Sequence, residues 1–220
     1  MKTKLLTIAM MVVFMLTAMT KVQAQNFEGP CLPQMHGMDG HQSALCSSTE
    51  TQTIALSAGV NWFSTYVEIT LDDLEAALVD ALGTSATITV KSRTSSVKYQ
   101  RGRWAGNLTS LNLAEMYKID VSTDCEISLE GMPIDAVTLS VTITSGANWI
   151  AYPLLVGMTL TDAFSGFAVN GDAFYGQTLN AKVVRGRWTG QLTELAPGKG
   201  YIYVSAEATD RVFTFPTNSK

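Results

Sequence analysis

The amino-acid sequence predicts a mainly β (α+β) protein of two tandem β-rich repeats, each with one short helix, preceded by a signal peptide and a loop-like N-terminal arm. Three observations carry that prediction. Residues 101–109 read RGRWAGNLT and residues 185–193 read RGRWTGQLT, identical at seven of nine positions, and a self-match of that length marks an internal duplication. The match also extends outward. Thr94, Lys98, Leu111 and Tyr117 recur as Thr178, Lys182, Leu195 and Tyr201, and Gly59, Asn61, Trp62 and Tyr66 recur as Gly146, Asn148, Trp149 and Tyr152. Between these anchors, short runs alternate apolar and polar residues with the period of half-buried strands.

Residues 1–24 read as a secretory signal peptide. Lys2 and Lys4 form the basic start, Leu5 to Met19 the apolar centre, and Val22-Gln23-Ala24 the small-residue cleavage pattern. The apolar run is short for a membrane span, and no second long one follows. No cysteine stands at the cleavage site, which argues against a lipoprotein anchor. The expectation is an exported protein of the periplasm, cell surface or extracellular space. Removing the signal takes three of fifteen basic residues and none of nineteen acidic ones, so twelve face nineteen and the net charge is −7. An acidic chain without a basic run argues against nucleic acid and anionic membranes as partners.

Residues 25–51 form the arm, rich in Gly, Pro, Ser and Met and without helix or strand period. Cys31 and Cys46 both lie in it and are the favoured disulfide pair in an oxidising compartment. The third cysteine, Cys125, alternates onto the apolar face of a strand with Ile127 and Leu129 and reads as a buried thiol. Both histidines fall in the arm's MHGMDGH stretch; the spacing of Met35, His36, Met38 and His41 fits no standard zinc or copper site, so no metal is expected.

The first repeat, 52–132, opens with a strand over 53–56, a turn at 57–60 and a strand over 61–70. A helix follows from Thr70, because Thr70 and Asp73 have capping-box spacing, Asp72, Asp73 and Glu75 favour the positive helix start, and Leu71, Leu74 and Leu78 share a face. Strands are expected over 86–90, 97–103, 116–121 and 125–129. The second repeat, 137–216, repeats the helix signal at Thr159 and Asp162, running to Phe167, with strands over 172–175, 181–188, 201–205 and 211–215.

Neither repeat carries a recognisable catalytic motif. No histidine lies in either, which excludes histidine-based triads there. There is no nucleotide-binding glycine pattern, and no cofactor is expected. The carboxylates Asp72, Asp73 and Asp172 leave a carboxylate-dependent hydrolase as the weakest of three readings, with helix capping the simpler role for the first two. Binding is stronger. Trp104 lies between Arg101, Arg103 and the downstream glycine, and Trp188 is flanked in the same way by Arg185 and Arg187. An indole beside guanidinium groups can stack on a sugar ring or hold a carboxylate. The competing reading makes the motif a structural corner, its glycines serving tight turns. Tyr201, delivered by the Ala196-Pro197-Gly198-Lys199-Gly200 turn, completes the candidate ligand residues.

At these residues the chain resembles a repeat module of exported and cell-surface proteins from Bacteroidetes-type bacteria, with a G-x-N-W-I start, then W-x-G-x-L-T, then L-x-P-G-K-G-Y. The second copy carries it as Gly146, Asn148, Trp149 and Ile150, then Trp188, Gly190, Leu192 and Thr193, then Leu195 through Tyr201. The first copy departs at Phe63, at Thr65-Tyr66-Val67 and across 112–116. The resemblance implies export and a non-catalytic role, and assigns no site residue. The expected function is therefore a non-enzymatic protein in adhesion, assembly or ligand binding, with an unknown protein or a glycan as partner. A carbohydrate-binding protein using the repeated motif is the alternative.

Overall fold

The structure, a computed structural model, describes residues 48–216 and is mainly β with two helices. The signal segment, Cys31, Cys46 and the histidines lie outside the described residues. The first repeat runs β1 (Glu50–Leu56), β2 (Gly59–Phe63), α1 (Leu71–Leu82), β3 (Ile88–Lys91), β4 (Ser96–Gln100), β5 (Arg103–Gly106), β6 (Tyr117–Val121) and β7 (Cys125–Gly131). The second runs β8 (Ser140–Ile143), β9 (Gly146–Ile150), β10 (Met158–Thr159), α2 (Leu160–Ala163), β11 (Ala173–Tyr175), β12 (Asn180–Val184), β13 (Arg187–Gly190), β14 (Glu194–Leu195), β15 (Tyr201–Ser205) and β16 (Arg211–Thr214).

Each repeat builds one antiparallel five-stranded sheet and one two-stranded ribbon, and the second adds the short antiparallel pair β10-β14. The sheet orders are β2-β6-β3-β4-β5 and β9-β15-β11-β12-β13, which correspond strand for strand. The ribbons β1-β7 and β8-β16 join the first strand of each repeat to its last. Three boundaries differ from the sequence expectation. β1 begins at Glu50, inside the expected arm, because it pairs with β7 back to Gly131. β2 stops at Phe63, where buried Gln52 takes over: its side chain donates to Ser64 O and accepts from Thr65 Oγ1 and Tyr66 N, holding the chain off the sheet. The expected strands 97–103 and 181–188 are each broken at the Arg-Gly pair into hairpins, β4-β5 and β12-β13.

The first helix follows its signals. Thr70 caps it, with Thr70 Oγ1 accepting from Asp73 N at 3.2 Å and the Asp73 carboxylate accepting from Thr70 N at 2.8 Å. These bonds hold the Asp73 carboxyl below its usual pKa. Thr70→Ala is expected to lower stability by about 1 kcal/mol in urea unfolding. The second helix is capped by Thr159 Oγ1 alone, which accepts from Asp162 N at 3.1 Å, and it ends after one turn, where Phe164 leaves the helix and Gly166 takes φ 72°. The two cores differ accordingly. Leu71, Leu74 and Leu78 of α1 fill the first with aliphatic side chains, whereas Phe164, Phe174, Phe213 and Phe215 dominate the second. Larger rings supply the volume that the missing helical turns do not.

The repeats interlock reciprocally. Ser64 N donates to Gly198 O at 3.1 Å, and Ala151 N, the repeat equivalent of Ser64, donates to Ala114 O, the equivalent of Gly198, at 3.0 Å. Such paired contacts define a quasi-two-fold relation. Near its axis, equivalent residues meet each other. Gly200 and Met116 hold equivalent positions, and a Cβ on Gly200 would lie 2.6 Å from Met116 Cβ. Only one of the pair can be large, and the first copy carries the methionine where the second keeps glycine. Trp62 and Trp149 also converge there, with Lys118 Nζ 4.8 Å and 4.7 Å from their ring centroids. The outward edge of β2 is closed by the other repeat. Trp62 N donates to Gln177 Oε1 at 2.8 Å, Gln177 Nε2 donates to Val60 O at 2.9 Å, and Gly200 N reaches Trp62 O. Arg93, the equivalent of Gln177, donates to Ala147 O on β9. The β2 edge is therefore not left open to pair with a foreign strand.

Candidate functional site

The RGRW motif forms a two-residue hairpin in both repeats. Arg101 and Gly102 have φ 55° and 78°, and Arg185 and Gly186 have 53° and 74°. Positive φ at both central residues is the type I′ turn, whose twist matches that of the flanking strands. Gly106 is required by close approach: a Cβ there would lie 2.1 Å from Ser96 O, and on Gly190 it would lie 2.3 Å from Asn180 O. The chain folds over those carbonyls so that each accepts two N–H groups, from Asn107 and Leu108 in one repeat and from Gln191 and Leu192 in the other. Leu108 and Leu192 then enter the cores.

Trp104 pairs across the ladder with buried Tyr99, ring centroids 5.1 Å apart. Trp188 packs against Phe164 and Phe174 at 5.9 and 6.2 Å. Both indoles are partly buried on the core side of the sheet. Side chains alternate along a strand, so Arg103 and Arg187 point to the opposite face, while Arg101 and Arg185 stand at the turn tips. All four are exposed, and among the described residues the one ion pair is Arg211–Asp172. In the first hairpin the strand alternation thus sets Trp104 and Arg103 on opposite faces of β5, which adjacency in sequence does not reveal, whereas Arg187 and Trp188 still border one groove. A groove of about 500 Å³ runs beside the second hairpin, with Phe164, Val183 and Trp188 as floor and Thr161, Ser165 and Arg187 at its margin.

Tyr201 is buried, 4% exposed, and its hydroxyl accepts from Ala196 N at 2.8 Å. Tyr117 does the same for Asn112 N at 2.6 Å. These tyrosines fasten the loop that docks on the other repeat, and burial raises both hydroxyl pKa values. The Asn-Trp anchors have a similar local reason. Asn61 and Asn148 each bond the backbone on both sides of the turn made by Gly59 or Gly146, whose φ values are 95° and 80°.

Of the carboxylates, Asp72 is exposed at the helix start and Asp73 serves the cap. Asp172 is fully buried and saturated. It accepts from Ala206 N at 2.7 Å, Val169 N at 2.9 Å, the Tyr203 hydroxyl, and Arg211 Nη2 at 3.2 Å. Burial pushes its pKa up, but these four donors outweigh it and hold the carboxyl below the ordinary range. Arg211 also donates to Phe167 O and Ser205 Oγ and lies 4.3 Å over the Phe167 ring. Sequence reasoning missed this network, because Asp172 and Arg211 stand 39 positions apart in the sequence. Cys125, equivalent to Arg211 by ribbon register, is partly buried, and burial followed by the Asp124 charge raises its pKa.

Among the described residues no cluster of His, Cys, Asp and Glu could hold a metal ion, and no helix is long and apolar enough to cross a membrane. Comparison with family models, with curated proteins and with solved structures gave no match.

Proposed function

We propose that this chain is an exported, non-enzymatic binding protein of the periplasm or cell surface, acting in adhesion or assembly through the arginine-bearing tips of its two hairpins. One observation carries the reading. Within the repeated motif, the glycines, the tryptophan and the leucine each meet a need of the fold, and the arginines meet none. Arg101 and Arg185 moreover occupy a positive-φ position where Asn or Gly is less strained. A strained residue kept in both copies, exposed and without an acidic partner, points to a role for its side chain. Two such tips on one chain make it bivalent, and their chemistry suits carboxylate or sulfate groups on a glycan or an acidic protein. The saturation of Asp172, the capping role of Asp73, and the resemblance to exported accessory modules support a non-catalytic role.

Retention on an immobilised acidic polysaccharide, eluted with a salt gradient, tests the proposal. The Arg101→Asn/Arg185→Asn double variant should bind at least about tenfold more weakly. The same variant should keep or raise its thermal stability, since Asn relieves up to about 1 kcal/mol of turn strain per site. Unchanged retention, or loss that appears only with unfolding, ends the proposal.

The groove beside Trp188 favours a second reading, saccharide binding against that ring. Trp188→Phe with loss of glycan-protected fluorescence, where Trp104→Phe shows none, is the outcome that would select it.

A further inference from the structure

Two clefts lie between the repeats, one on each side of the Trp62–Lys118–Trp149 stack, and neither contains any part of the arginine hairpins. The first, about 420 Å³, places Ser57, Asn61 and Trp62 of the first repeat opposite Gln177, Glu194 and Lys199 of the second. The second, about 320 Å³, places Thr144, Asn148 and Trp149 of the second repeat opposite Arg93, Asn112 and Glu115 of the first. Their first walls consist of repeat-equivalent residues of the same kinds. Their opposite walls have changed in detail, yet each still offers one carboxylate and one cation. Both volumes lie in the range of small-molecule sites.

Several of these polar groups are already engaged. Asn61 and Asn148 hold turns, and Gln177 and Arg93 close strand edges. Because Gln177 and Gly200 occupy the β2 edge, an extended peptide has no ladder to join in the first cleft. What faces the first cleft unspent is Glu194 and Lys199, both exposed and forming no ion pair with each other. In the second, Glu115 accepts one bond from Asn112 at 3.2 Å and retains acceptor capacity. A carboxylate only accepts and an ammonium or guanidinium only donates. Hydroxyl groups answer both, and a cleft holding one charge of each sign disfavours a ligand with net charge. The indole on the wall suits the flat C–H face of a sugar ring.

We infer that the two inter-repeat clefts are twin subsites for a neutral saccharide, so that one chain holds two sugar units. This does not depend on the hairpin arginines, and its test uses different residues. The mature chain is titrated calorimetrically with neutral gluco-, xylo-, malto- and chito-oligosaccharides. At least one class should bind with two sites per chain. Glu194→Gln should weaken one site about tenfold and Glu115→Gln the other, with both sites lost at working concentrations in the double variant. Thermal unfolding of each variant should match the parent, since both changes keep shape at the surface. The Arg101→Asn/Arg185→Asn chain should bind the saccharide like the parent, so failure of the hairpin reading and failure of this one are separable. No binding across the panel, or binding whose affinity and stoichiometry survive the double Glu→Gln change, overturns the inference.

Discussion

Asp172→Ala is expected to destabilise the folded chain by about 3–5 kcal/mol, the usual result of removing one member of a buried, hydrogen-bonded ion pair. The loss would strand the Tyr203 hydroxyl, two backbone N–H groups and Arg211, whose Nε is already buried without a partner. The sibling repeat shows that the scaffold itself does not need this network. By sheet register, Asp172, Tyr203, Ser205 and Arg211 correspond to Ile88, Ile119, Val121 and Cys125. The cost should therefore reside in the broken pair, and an Asp172→Ala/Arg211→Ala cycle in urea should show about 1–3 kcal/mol of coupling. Additive single losses would refute it. A pH dependence follows with a definite sign. The folded pKa of Asp172 lies below its unfolded value of about 3.9. Its contribution is then complete above that value and lost as pH falls through the folded pKa. Stability measured from pH 7 downward should drop below about pH 4, and Asp172→Asn should flatten that limb.

Gly106→Ala and Gly190→Ala are expected to cost about 3 kcal/mol or more each, because the new Cβ would overlap a backbone carbonyl that cannot retreat without breaking the β4 or β12 ladder. Gly102→Ala is the control. It lies in the same motif at φ 78°, but a Cβ there meets nothing within 4 Å. Its cost should be about 1–2 kcal/mol of left-handed strain. Equal losses at Gly102 and Gly106 in thermal unfolding would show that the turn, rather than the close approach after it, governs the hairpin. The motif would then leave more of its identity to be explained by binding.

Much of this architecture was legible in the sequence because it is locally specified. The capping box at Thr70 and Asp73, the alternation in β3, β6 and β7, and the glycine-asparagine turns at 59–61 and 146–148 depend on hydrogen bonds within a few residues. The duplication announced the matching sheets. The motif's glycines signalled a tight corner, but the hairpins themselves were not legible because Arg101 and Arg185 stand where Asn or Gly is the usual signal, so the flanking strands read as continuous. The length of α2 was misjudged because Thr159 and Asp162 specify only where a helix starts. Its end was set by Phe164 turning into an aromatic core.

Other features were fixed only when the two repeats met. The sequence alone determined a duplicated, β-rich module with capped helices and conserved-in-pair tryptophans. Tertiary structure decided that Trp104 and Arg103 face opposite sides of one strand, that Gln177 completes the edge of β2, and that Gly200 must be small because Met116 occupies the axis. It also gathered Asp172, Tyr203 and Arg211 into one buried network. Local propensity acts over a turn of helix or a pair of strand residues. These contacts join residues tens of positions apart, and the chain carries no signal of them until the sheets have packed.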